Sequence, residues 1–144
     1  MTNAYSNDAV VEAIAAGLLD HSLPKARWTH AAHFAATLWL LRHQPGFDGP
    51  RDMPGIIRSY NAAVGGENSD TAGYHHTITL ASLRLAQAAL AAAPHQPLHV
   101  ILDTILAGPA GQSAWLLTYW SRTSLFSVAA RRGWVAPDLA PLPF

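Results

Sequence analysis

The stretch Tyr74–Ala93, YHHTITLASLRLAQAALAAA, decides the fold class of this chain. Its larger apolar residues recur at spacings of three and four, which is typical of a helix with one buried face. Alanine is so dense in its second half that another helix can pack closely against it. Pro94 and Pro97 follow and end the helix. The stretch therefore predicts the longest helix of an all-α protein.

Similar patterns predict further helices on both sides of this stretch, whereas strand-like alternation and internal repeats are absent from the sequence. We predict one domain over residues 1–144, an irregular bundle of six to seven helices with an extended, proline-rich tail at Val135–Phe144. The other predicted helices are Asp8–Asp20, a helix capped by Thr29 and ending before Gln44, a helix capped by Asp52 and ending at Gly65, Leu98–Leu106, Gln112–Trp120 and Thr123–Arg132.

The composition argues for a folded domain that does not bind a highly charged partner such as nucleic acid. Half of the 144 residues are apolar and only 12% are charged, which argues against disorder. Nine basic and nine acidic residues balance, so the basic surface that nucleic acid or an anionic membrane requires is missing. A small domain with a net charge near zero tends to self-associate, and we therefore expect a homo-oligomer.

The chain has no cysteine, so disulfides, thiolate metal sites and cysteine nucleophiles are excluded. Its first residues lack the basic and apolar regions of a signal peptide. The longest nearly uncharged stretches are interrupted by proline or glycine, which argues against a membrane span. A cytoplasmic protein is the default expectation.

Two histidine clusters are the strongest functional signal. One is Trp28–His33, WTHAAH, where Thr29 is a good N-cap and Trp28 is placed to pack on the first turn of the helix, against His33 or the next residue. His30 and His33 are three residues apart and share a helix face. Two imidazoles on one face can converge on a single metal ion, so the pair predicts two metal ligands.

The second cluster is Gly73–Thr77, GYHHT, at the start of the longest helix. Adjacent helical residues point about 100° apart, so only one of its two histidines can face the first cluster. We choose His75 as the third ligand, because Thr79 continues its face whereas an apolar residue continues the face of His76. This choice assumes that the two helices are neighbours.

These clusters predict a metal-dependent enzyme that acts on a small molecule between two helix N-termini. His30, His33 and His75 would bind a divalent transition metal (zinc, iron, copper or nickel) and form the catalytic centre. Water or a carboxylate would complete the site, and hydrolysis, hydration or lyase chemistry is favoured. The carboxylates considered are Glu67, Asp70 and Asp103.

Two alternatives stay open at this point. One is a non-catalytic helical module that binds a small ligand or a partner, with the histidines as hydrogen-bonding groups. The other is a metal-free enzyme with His30 or His75 as general base. For substrate binding we select Tyr74, Thr79, Arg58 and Arg122, since an arginine or the positive end of a helix favours an anion.

Three segments taken together resemble a group of small, uncharacterised bacterial helical proteins. The segments carry Thr-His-x-x-His at Thr29–His33, Tyr-His-x-Thr-Ile-Thr at Tyr74–Thr79 and Trp-Val-x-Pro-Asp-Leu at Trp134–Leu139. By this resemblance His30, His33 and His75 occupy motif positions. At His76 the resemblance implies glutamate in many relatives, so His76 departs from it. No reaction follows from the resemblance.

Overall fold

The computed structural model describes residues 4–144, which form seven α-helices, three short 3₁₀ turns and no strand. The predicted all-α, irregular bundle is confirmed. Within this part of the chain, no helix combines the length and the apolar character needed to cross a membrane. The helices are α1 (Asp8–Asp20), α2 (His30–His43), α3 (Gly49–Ala63), α4 (His76–Ala92), α5 (Leu98–Ala107), α6 (Arg122–Leu125) and α7 (Val128–Arg132), and the 3₁₀ turns are Lys25–Arg27, Pro109–Gly111 and Trp115–Thr118.

Helix α2 lies at the centre of the bundle and packs against α1, α4 and α5. Half of its fourteen residues are buried, because small alanines let neighbouring helices approach while Phe34, Leu38 and Leu40 fill the space between them. The sequence analysis assumed that α2 and α4 are neighbours, and their packing confirms this. The polar first turn of α2 is thereby placed beside the first turn of α4.

Helix α3 begins four residues before the predicted start. The N-cap is Asp48, whose carboxylate accepts a hydrogen bond from the Arg51 amide at 2.9 Å. Asp52, the predicted cap, instead accepts from the amide of Asp48 at 2.9 Å. The two aspartates therefore share the cap in a reciprocal arrangement, and Pro50 fits the first turn because it needs no amide donor there.

The segments after α5 are more broken than predicted. The predicted helix Gln112–Trp120 is reduced to the 3₁₀ turn Trp115–Thr118, and the predicted helix Thr123–Arg132 is divided into α6 and α7. Ser127 explains the division, because its hydroxyl accepts from the Ala130 amide at 3.1 Å and starts a new helix instead of continuing the first.

The C-terminal tail lies along the body, as predicted. Trp120 donates its indole N–H to the Val135 carbonyl at 2.9 Å, and the Leu139 amide donates to the Tyr119 carbonyl at 2.9 Å. Phe144 ends the chain against Trp115, with ring centroids 5.9 Å apart. The tail thus covers part of the core that the short C-terminal helices leave open.

Candidate functional site

A cavity of about 300 Å³ opens between α2, α3, α4 and the turn at Trp115, beside the two helix starts where the sequence analysis placed the site. We call it the main cavity. A second cavity of about 330 Å³, the adjoining cavity, shares His33, Ile57, Ile78 and Thr79 with it. The residues that line the main cavity are His30, His33, Phe34, Thr37, Met53, Ile57, Ile78, Thr79, Ser82, Leu83, Ser113 and Trp115.

His33 lies where the two cavities meet, and its ring is held from two sides. The Thr29 carbonyl accepts two hydrogen bonds from His33, one from the backbone amide at 3.1 Å and one from the side-chain Nδ1 at 2.7 Å. Because a carbonyl only accepts, Nδ1 carries the proton and Nε2 is left as an acceptor. Trp28 stacks on the ring with centroids 3.8 Å apart, which confirms that Trp28 packs on the first turn of α2.

Burial lowers the pKa of His33 to about 4, although the hydrogen bond to the Thr29 carbonyl acts in the opposite direction. The charge of a protonated His30 would lower it further. His33 is therefore neutral at neutral pH. Within residues 4–144, its Nε2 has no hydrogen-bond partner. Every fully buried polar side-chain atom in this part of the chain has such a partner, so Nε2 is not fully buried and remains accessible.

His30 is also fixed by a carbonyl, but on its other nitrogen. Its Nε2 lies 2.7 Å from the oxygen of Ala110, in the turn that follows α5, so Nε2 donates, and in the neutral ring Nδ1 is an acceptor. The edge of Phe34 packs against the ring at a centroid distance of 5.4 Å. His30 and His33 thus both line the main cavity, and in the neutral form of each ring one nitrogen carries no hydrogen.

His75 has a structural role that the sequence analysis did not predict. It is the N-cap of α4, with Nδ1 accepting from the Ile78 amide at 3.2 Å. Its Nε2 donates to the Leu125 carbonyl at 2.7 Å. Burial lowers its pKa, while the bond to Leu125 opposes this effect. Helix α4 therefore starts two residues later than predicted, and both ring nitrogens of His75 are occupied by protein partners.

The predicted three-histidine metal centre is not assembled. His75 lines only the adjoining cavity, and both of its nitrogens already make hydrogen bonds. Across residues 4–144, no three His, Asp or Glu side chains are arranged to hold a metal ion. Asp70, one of the carboxylates considered, forms a two-bond ion pair with Arg132 at 2.7 Å. The structure brings together His30 and His33, and it assigns His75 to the helix cap.

Two predicted substrate-binding residues, Tyr74 and Arg58, contact each other. The Arg58 guanidinium lies over the Tyr74 ring, 4.6 Å from its centroid. The Tyr74 hydroxyl is 2.7 Å from Nδ1 of His76. Tyr74 lines the adjoining cavity, and burial raises its pKa. Burial lowers the pKa of His76, and the charge of Arg58 lowers it further. Arg58 lines neither cavity.

The other two predicted substrate-binding residues lie apart. Thr79 lines both cavities, and its hydroxyl donates to the His75 carbonyl at 2.8 Å. Arg122 is exposed at the start of α6 and lines a smaller cavity of about 160 Å³, which shares Ile78 and Ser113 with the main cavity. Only Thr79 therefore faces the main cavity.

Sequence reasoning missed Ser82, Ser113 and Trp115 as cavity residues. Ser82 could have been found, because it lies three residues after Thr79 on the same face of α4. Ser113 and Trp115 carried no such signal, since they lie in a segment that was predicted as helix and that reaches the cavity only through the turn of the chain after α5.

Comparisons with protein-family models, with curated proteins and with solved structures give no match for this chain. The functional argument therefore depends on the geometry of the two cavities.

Proposed function

We propose that this protein binds a small organic molecule in the main cavity, with Nε2 of His33 as a fixed hydrogen-bond acceptor. The observation that carries the proposal is the tautomer of His33. Its proton is held on Nδ1 by the Thr29 carbonyl, and its other nitrogen stays accessible on a ring that lines a cavity of about 300 Å³. Apolar walls with a few placed polar groups are typical of small-molecule sites.

The properties of His33 favour binding over base catalysis. A general base works best when its pKa lies near the pH at which it operates, and burial lowers the pKa of His33 to about 4. Such an imidazole takes a proton from a substrate poorly at neutral pH, but it accepts a hydrogen bond well. For His33 we therefore favour a role in ligand binding over a role as general base.

A pair of variants on α4 tests whether the main cavity is the binding site. Ser82 lines the cavity, whereas Gln87 is exposed on the same helix and lines neither cavity. We expect indole and benzamide, titrated by NMR, to shift the side-chain signals of Trp115 and His33. Ser82→Leu should weaken both probes at least tenfold, and Gln87→Leu should bind them like the wild type. Equal binding to both variants would contradict the proposal.

A metal measurement distinguishes this proposal from the metal-dependent enzyme that the sequence predicts. The untagged protein and a His30→Ala/His33→Ala variant would be analysed by mass spectrometry after purification and after addition of zinc, iron, copper or nickel. The proposal predicts no near-stoichiometric metal in either protein. Metal present in the wild type and lost in the variant would overturn it in favour of a metal centre.

A further inference from the structure

Four polar side chains of the main cavity have already donated their hydrogens inside the protein. We call them the acceptor wall: His30, His33, Thr37 and Thr79. The two histidines donate to the carbonyls of Ala110 and Thr29, each at 2.7 Å. The two threonines donate to the carbonyls of the residues four positions earlier, Thr37 at 2.7 Å and Thr79 at 2.8 Å. With both histidine rings neutral, the acceptor wall therefore offers lone pairs and no hydrogens to whatever enters the cavity.

The main cavity also lacks fixed charge. None of its twelve lining residues is Asp, Glu, Lys or Arg. A carboxylate or a phosphate would lose its hydration there without meeting a cation, and it would face the lone pairs of the acceptor wall. Both arginines predicted to hold an anion lie elsewhere, Arg58 over Tyr74 and Arg122 at the smaller cavity.

The main cavity also contains hydrogen-bond donors, and its volume limits the size of the ligand. The donors among the lining residues are the hydroxyls of Ser82 and Ser113 and the indole N–H of Trp115. Ser82 belongs to α4 and the other two to the segment after α5. The volume of about 300 Å³ is about twice that of an apolar cavity known to admit benzene. A compact molecule of two fused rings, or its aliphatic equivalent, fits this space.

We infer that the ligand of the main cavity is an uncharged, largely apolar molecule that donates a hydrogen bond from a hydroxyl or an N–H group to the acceptor wall. This inference rests on the proposed function and names the chemical class of its ligand. It replaces the anionic substrate that the sequence suggested.

Four probes of similar shape test the ligand class by calorimetry or NMR titration. Indole and benzofuran differ in the N–H donor, and benzamide and benzoate differ in charge and in donors. We expect indole to bind about threefold to tenfold more tightly than benzofuran, which is the contribution of one net hydrogen bond. We expect benzamide to bind and benzoate to bind at least tenfold more weakly.

Two variants remove single acceptors while keeping the shape of the wall. His33→Phe keeps an aromatic ring against Trp28, and Thr37→Val keeps the volume of the threonine. At least one of them should bring the affinity ratio of indole to benzofuran close to one, and an unchanged ratio in both variants would overturn the assignment of His33 or Thr37 as the acceptor. If His33→Phe fails to fold, as judged by circular dichroism, the comparison of indole with benzofuran on the wild-type protein still tests the ligand class.

The outcomes separate this inference from the proposed function. Benzofuran binding as tightly as indole, or benzoate as tightly as benzamide, would overturn the ligand class. If Ser82→Leu still abolished that binding, the cavity would remain a binding site. Failure of all four probes to bind, or binding that Ser82→Leu leaves unchanged, would overturn both proposals.

Discussion

The neutral state of His33 makes a quantitative prediction about stability in acid. Its pKa is about 4 in the folded protein, against 6.5 for an ordinary histidine. As the pH falls below 6.5, the unfolded chain binds a proton at His33 that the folded protein does not. The stability that comes from keeping His33 neutral is therefore fully present above pH 6.5, and it is lost progressively between pH 6.5 and 4. The total is roughly 3 kcal/mol, since one pH unit corresponds to about 1.4 kcal/mol.

The assay compares wild type with His33→Phe, which keeps an aromatic ring on Trp28 and removes the titrating group. Urea unfolding would be followed by tryptophan fluorescence at pH 7.5, 6.5, 5.5 and 4.5. The variant loses the hydrogen bond to Thr29, which costs about 1 kcal/mol at every pH. The wild type should lose about 2 to 3 kcal/mol more than the variant between pH 6.5 and 4.5.

Parallel stability curves for the two proteins would refute the reasoning. Burial also lowers the pKa values of His75 and His76, so acid destabilisation of the wild type alone decides nothing. His95→Gln, which removes an imidazole from an exposed loop, controls for the loss of one histidine. An NMR titration supplies a direct check, because a His33 midpoint near 6.5 would show that the ring is not held neutral by burial.

Three further predictions concern the scaffold. His75→Ala should lower the free energy of unfolding in urea by about 2 to 4 kcal/mol, because it removes both the cap of α4 and the hydrogen bond to Leu125. His75→Asn should recover about 1 kcal/mol of this loss by restoring the cap. Asp8→Ala should lower the free energy of unfolding, measured by thermal unfolding, by about 1 to 2 kcal/mol, because this carboxylate accepts hydrogen bonds from the first two backbone amides of α5. Glu12→Ala, at an exposed position, should lower it by less than about 0.5 kcal/mol. Sedimentation equilibrium should show an oligomer, because a small domain with a net charge of zero tends to self-associate. Phe126→Ser, at an apolar side chain that is 54% exposed, should shift the equilibrium toward monomer. A monomer at all concentrations would contradict the prediction.

Local features of the sequence determined most of the helices. The residue pattern of α1 predicts its observed bounds, and Thr29 caps α2 as expected, because a cap and its helix lie within a few residues of each other. The sharing of one helix face by His30 and His33 is equally local, as is the packing of Trp28 on the first turn. The placement of His33 between the starts of α2 and α4 was also predicted, although it depended on the assumption that these helices are neighbours.

The tertiary structure alone decided which distant carbonyls engage His30 and His75. The carbonyl that fixes His30 belongs to Ala110, 80 residues away in sequence, and the carbonyl that engages His75 belongs to Leu125, 50 residues away. A residue pattern cannot specify such partners, because the packing of distant segments sets which imidazole nitrogen is occupied and which stays accessible. The sequence thus determined most of the helices and placed histidines at two of their starts. Packing joined His75 to the distant Leu125 carbonyl and left His33 as a neutral acceptor in a cavity.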